Sequence, residues 1–216
     1  MTTNLREQKR RATLAAIEEH ATSLVSTRGY HDITIEDICA AANISRRTFF
    51  NYVDSKEAAV LGSYPIPLTD AESEEFISQR HEDLTRALLD VSYRMFTTQV
   101  TNSVSPGELL RRRKAILRAT PELSVNRLAA FGLIHDSLVR TAASYLERYD
   151  DARRLPHLTP VAEARTIVGV VHAALHIGTK QWMAEPSAQL VDLNRQCHAA
   201  LDNFRLLARS KGAHHD

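Results

Sequence analysis

The chain has 216 residues, 44% of them apolar and 25% charged, and a net charge of +1. That balance is close to the globular average, so it excludes a chain disordered throughout and supplies enough apolar material for a core without staples. With 27 Lys and Arg against 26 Asp and Glu there is no polybasic coat, so any nucleic-acid contact must come from a local patch.

Cys39 and Cys197 make neither a disulfide framework nor a metal-type pair, which predicts a reducing, cytoplasmic setting. Residues 1–11 are polar and basic with no apolar run behind them, so no secretory leader is expected. The most apolar run, 166–178, is too short for a membrane span and carries His172 and His176. Gly and Pro number seven each, and apolar residues recur at helical spacing almost everywhere. The fold class is read as all-α.

A first helix is expected over residues 4–27, with Leu14, Ile17, Ala21, Leu24 and Val25 on one face and Gly29 as its stop. Three short helices follow. Thr34 and Asp37 form a capping-box pattern, Asn43 suits a left-handed turn, and Ser45 suits an N-cap. Asp54 with Glu57 repeats the capping pattern before Val60 and Leu61. Tyr64-Pro65-Ile66-Pro67 interrupts the helical pattern, and a domain boundary is expected there, dividing residues 1–62 from 69–216.

The acidic stretch with Asp70, Glu72, Glu74 and Glu75 reads as a solvated helical face. Beyond it, Leu84, Leu88, Val91 and Met95 mark a long helix. Ser105-Pro106, Thr120-Pro121 and Thr159-Pro160 are helix starts, and Ser187 is read as the last N-cap. Residues 211–216 read as a polar, frayed end.

The compact set of short helices fits helix-turn-helix DNA binding. A recognition helix needs a sharp turn before it, apolar anchors beneath it and polar side chains on its outer face. Residues 45–52 meet these needs. Ile44 and Phe49 anchor the segment. Arg46 and Arg47 can make bidentate contacts to guanine, and Thr48, Asn51 and Tyr52 offer hydroxyl and amide groups. Lys56 at the next helix start could meet a phosphate. Residues 1–60 hold eight basic and eight acidic residues, so the segment is not basic as a whole; its local basic groups are Arg6, Lys9, Arg10 and Arg11 at the start and then Arg46, Arg47 and Lys56.

Gly29-Tyr30, Thr34-Ile35, Ile38, residues 42–45, residues 48–53, Asp54 and Ser55-Lys56-Glu57 together resemble the N-terminal signature of the TetR/AcrR transcriptional repressors. The resemblance covers residues 10–61. It departs at Asn43, Phe50, Tyr52 and Val53, where the family usually has Gly, Tyr, His and Phe. It implies a homodimer on double-stranded DNA with a palindromic operator, released by a small-molecule effector in a C-terminal domain, and no cofactor. By position, Thr34, Ser45, Arg46, Arg47, Thr48, Asn51, Tyr52 and Lys56 match the DNA-facing residues. A DNA-binding activator or global regulator shares the same head. An all-helical enzyme is disfavoured, because no phosphate loop, nucleophile elbow or zinc motif is present.

Outside the head the spacing leaves alternatives open. Met95, Phe96, Phe131, His135, Tyr145, His176 and Trp182 could line an apolar effector pocket or belong to an ordinary core. Val168, Val171, Leu175, Leu193, Cys197, Leu201 and Phe204, on the last two helices, are candidates for a dimer contact, the alternative being a helix buried within one chain. His172 and His176 lie four apart, but two ligands do not make a metal site, so no metal is expected. The run Arg111-Arg112-Arg113-Lys114 reads as a solvated helix face.

Overall fold

A computed structural model describes residues 2–62, 66–97 and 105–209. Tyr64 and Pro65 of the expected proline break, and the expected frayed end at 211–216, lie outside the described residues. The structure is all-helical: α1 (Thr2–Arg28), α2 (Ile35–Ala41), α3 (Arg46–Phe50), α4 (Lys56–Leu61), α5 (Asp70–Ser78), α6 (Leu84–Thr97), α7 (Pro106–Ala119), α8 (Val125–Arg148), α9 (Pro160–Ala184) and α10 (Leu190–Arg209), with 3-10 turns at Pro121–Ser124 and Asp150–Ala152.

The chain forms two compact units. One comprises residues 1–65 and 97–130, the other 66–96 and 131–216. The break expected near residues 62–69 is therefore the first of three crossings between units. Residues 105–130 belong with the N-terminal helices rather than with the rest of the expected 69–216 domain. The reason is apolar and ionic together: Ile116 and Leu123 complete the core built by Ile17, Ala21, Val25, Ile38, Phe49, Val53 and Val60.

The local signals of the first unit are realised. Gly29 ends α1 at φ +91°, a conformation that costs a Cβ-bearing residue. Thr34 caps α2 in a full capping box with Asp37. Asn43 takes φ 52°, and its amide side chain makes it one of the few residues that tolerate this region. Ser45 caps α3 by accepting from the Thr48 N–H at 3.0 Å. The fourth helix differs in one detail: its N-cap is Ser55, accepting from the Ala58 N–H, not Asp54.

The charged run on α7 is not a solvated face. Arg113 is buried, pairs with Glu18 of α1 at 2.8 Å and donates to the Val60 carbonyl. Burial pushes the Glu18 carboxyl above the usual range against the opposing pull of Arg113. Arg112 bonds Glu19 at 2.5 Å and also Glu108.

In the second unit α5 keeps its acids exposed, as expected, behind a Thr69–Glu72 capping box. Residues 121–148 are a 3-10 turn followed by α8, not one continuous helix, and Leu128 and Phe131 at its start are exposed. α9 and α10 form an antiparallel pair of close approach. A Cβ on Gly178 would lie 2.5 Å from the Cys197 Cα, so only glycine fits this crossing. α10 begins at Leu190, where the Asp192 carboxylate accepts from the Gln189 N–H; Ser187 lies in the preceding turn.

Candidate nucleic-acid interface

α3 holds one residue inward and presents the rest. Phe49 is fully buried beneath it, while Arg46, Arg47, Phe50 and Asn51 are exposed. The Ser45 cap and the left-handed Asn43 set its entry angle, so the outward direction of Arg47 follows from local chemistry.

The eight residues matched to the DNA-facing positions are not equivalent. Arg47 is exposed and carries no ion pair among the described residues. Arg46 does carry one: its guanidinium donates to Glu36 at 2.6 Å and lies 5.7 Å from the Phe50 ring centroid. Thr48 and Ser45 share a hydroxyl hydrogen bond of 2.8 Å within the cap. Thr34 spends its hydroxyl on Asp37, and the Thr34 hydroxyl and N–H hold the Asp37 carboxyl below the usual range. Asn51 forms the C-cap of α3, and Tyr52 is half-buried behind it.

Lys56 differs most from the expectation. Its ammonium donates to the Tyr30 carbonyl at 2.8 Å and the Ile33 carbonyl at 2.9 Å, and stands 4.2 Å from the Tyr30 ring centroid. It ties the start of α4 to the loop between α1 and α2, so its charge is turned to the protein. Beside α3, residues Leu5, Arg6, Lys9 and Arg10 of α1 enclose with Asn51 and Tyr52 a cleft of about 740 Å³.

The second unit carries another cleft, of about 640 Å³, lined by Arg80, His81, Asp83, Tyr145, Asp151, Arg154, Glu163, Arg205 and Arg209 among others. Two ion pairs cross its lining, Arg80–Asp151 and Arg205–Asp83, each at 2.5 Å. The Tyr145 hydroxyl accepts from the His81 N–H at 2.9 Å. Glu163, fully buried, accepts from the N–H groups of Arg154 and Leu155 and from Arg153. Burial pushes its carboxyl up, but the two N–H bonds and Arg153 outweigh that and hold it below the usual range.

Of the apolar pocket candidates, Tyr145 alone lines this cleft. Trp182 is fully buried and donates to the Gln189 carbonyl, so it is core. Met95 and Phe96 are half-buried, and Phe131 and His176 are exposed. His135 instead meets His172, with ring centroids 5.3 Å apart; burial first, then His135, lowers the His172 pKa. Of the dimer candidates, Val168, Val171, Leu193, Cys197 and Leu201 are buried within the single chain, where α9 and α10 pack on each other, and only Leu175 and Phe204 are half-buried. Burial pushes the Cys197 thiol up to about 11. No group of three metal-ligating side chains occurs among the described residues, and no described helix is long and apolar enough to cross a membrane.

The buried anchor, the capped short helix and its outward polar face define a helix-turn-helix DNA-binding transcriptional regulator. Residues 17–61 match the family model for the bacterial regulatory proteins of the tetR family. It is 25% identical over 191 residues to a protein of Mycobacterium tuberculosis (strain ATCC 25618 / H37Rv) described as a mycofactocin biosynthesis transcriptional regulator, MftR; the match covers 86% of this chain and 87% of that one. A crystal structure described as a TetR-family transcriptional regulator from Mesorhizobium loti MAFF303099 aligns over 92% of this chain and 97% of its own, at 14% identity and a TM-score of 0.41.

Proposed function

We propose that the protein is a dimeric repressor that occupies an operator through α3 and leaves it when a small molecule enters the second unit. The observation that carries the DNA reading is the division of α3 between the buried Phe49 and the outward, unpaired Arg47. Arg47, Asn51, Thr48 and Ser45 are the DNA-facing residues, with Tyr52 behind them. Arg46 joins them by exchanging Glu36 for DNA. Lys56 and Thr34 act by holding the head together. Two such heads reach successive major grooves about 34–36 Å apart, which calls for a two-fold operator.

A second copy fits the outer faces of α9 and α10. Gly169, Ala173 and His176 recur at helical spacing on one, and Ala199, Asn203 and Leu206 on the other, all exposed or half-exposed. The effector would enter the cleft beside Tyr145. Its arginines and carboxylates favour a polar or charged molecule over the hydrophobic one that the sequence suggested. DNA and effector then oppose each other through one coupling free energy, which acts both ways.

The test is fluorescence anisotropy of the purified chain on duplex from upstream of its own gene, with a scrambled duplex at the same salt. Selective binding by two copies per site supports the reading. Equal binding to both duplexes counts against a local repressor.

A further inference from the structure

α1 is longer than its core requires. Its buried positions begin at Ile17, yet the helix starts at Thr2. Apart from half-buried Glu7, residues 5–12 are exposed, and a helical stretch without an apolar face gains little from tertiary packing. The composition of this extension is one-sided: Arg6, Lys9, Arg10 and Arg11 against the single acid Glu7. Glu7 lies 3.6 Å from Arg10 and 3.1 Å from Arg11. Arg6 and Lys9 have no ion pair among the described residues.

The direction of these side chains is set by helical spacing. Arg6 with Lys9 and Arg10 recurs at i, i+3 and i+4, which is one face. That face closes the cleft against Asn51 and Tyr52, and no acid lines it. Three cations thus line, with Asn51 at the C-terminal end of α3 and Tyr52, one open cleft of about 740 Å³.

We propose that Arg6, Lys9 and Arg10 form a second DNA contact, a phosphate clamp flanking the recognition helix. This rests on the reading of α3 as that helix. Charges of this kind read no bases. They add affinity that is equal on all sequences, and each neutralised phosphate steepens the salt dependence of binding by about 0.9 in log–log slope.

The experiment is salt-dependent anisotropy on the full chain carrying Arg6→Gln, Lys9→Gln and Arg10→Gln together, changes that keep strong helix formers outside the core. An operator duplex and a scrambled duplex are titrated between 50 and 200 mM salt, with Arg47→Ala as the reference variant. The clamp predicts that the triple variant weakens both duplexes by the same factor, about tenfold or more, and that the slope falls by about 2–3 per protomer. Unchanged slope and affinity on both duplexes overturns it, as does a loss confined to the operator, which would mark base reading. An Arg47→Ala variant that binds the operator like the parent, beside a triple variant that weakens both duplexes, overturns the α3 reading and leaves the clamp standing.

Discussion

The two compact units spend their charges in opposite ways. On the α3 face Arg47, Arg6 and Lys9 point outward with no carboxylate in reach. In the second unit Arg80 and Arg205 are paired across the cleft, and Glu163 is buried with all its donors in place. DNA supplies its own negative charge, so a surface that meets it needs uncommitted cations. Glu163 has to be paired before any ligand arrives, because an unpaired buried charge is costly, whereas the Arg80–Asp151 pair lies exposed at the cleft.

That contrast predicts where substitutions act. The largest effect belongs to Glu163→Ala, which strands Arg153 and two N–H groups and should cost about 3–5 kcal/mol in urea unfolding without direct loss of DNA contacts. The carboxyl is held below its unfolded value near about 4.3, so its contribution is present above that pH and is lost as the pH falls through the lower folded value. The stability gap between the parent and Glu163→Gln should therefore narrow below about pH 4. A gap that stays constant into acid would mean that the charge is not what holds the loop.

Lys56→Met is the next step down. Two hydrogen bonds from a charged donor are lost, for about 1.5–3 kcal/mol of stability, while the salt slope of DNA binding should not change. A slope reduced by about 0.9 would return Lys56 to the phosphate-contacting set. The smallest effect is at Asn43. Asn43→Ala should cost about 1 kcal/mol in a thermal melt, because φ 52° disfavours a plain Cβ, whereas Asn43→Gly should be close to neutral.

The first unit was legible because each signal is local. Thr34 with Asp37, Asn43, Ser45 and Gly29 each do their work within a few residues, so spacing alone fixed the caps, the turn and the outward face of α3. Residues whose partner is remote in sequence carry no such signal. Nothing near Lys56 announces the Tyr30 and Ile33 carbonyls, and nothing near Arg113 announces Glu18.

The second unit shows this limit on a larger scale. An apolar face on α9 or α10 must be covered, but periodicity does not say by what; Gly178 against Cys197 makes it the neighbouring helix of the same chain. The cleft is equally illegible in the sequence: its lining is polar and comes from five separate segments, so no stripe on a single helix marks it.

The central claim is that α3 reads base sequence through Arg47 while Arg46 begins from its bond to Glu36. The direct measurement is selection from a random-sequence duplex pool at fixed salt, run in parallel with the parent chain, Arg46→Ala and Arg47→Ala. The parent should enrich an inverted repeat. Arg47→Ala should lose discrimination at one position of each half-site, worth about 1–3 kcal/mol, and Arg46→Ala should lose less, since the release from Glu36 offsets part of its contact. Enrichment of the same motif with the same affinity by Arg47→Ala would contradict the assignment of α3 as the reading element.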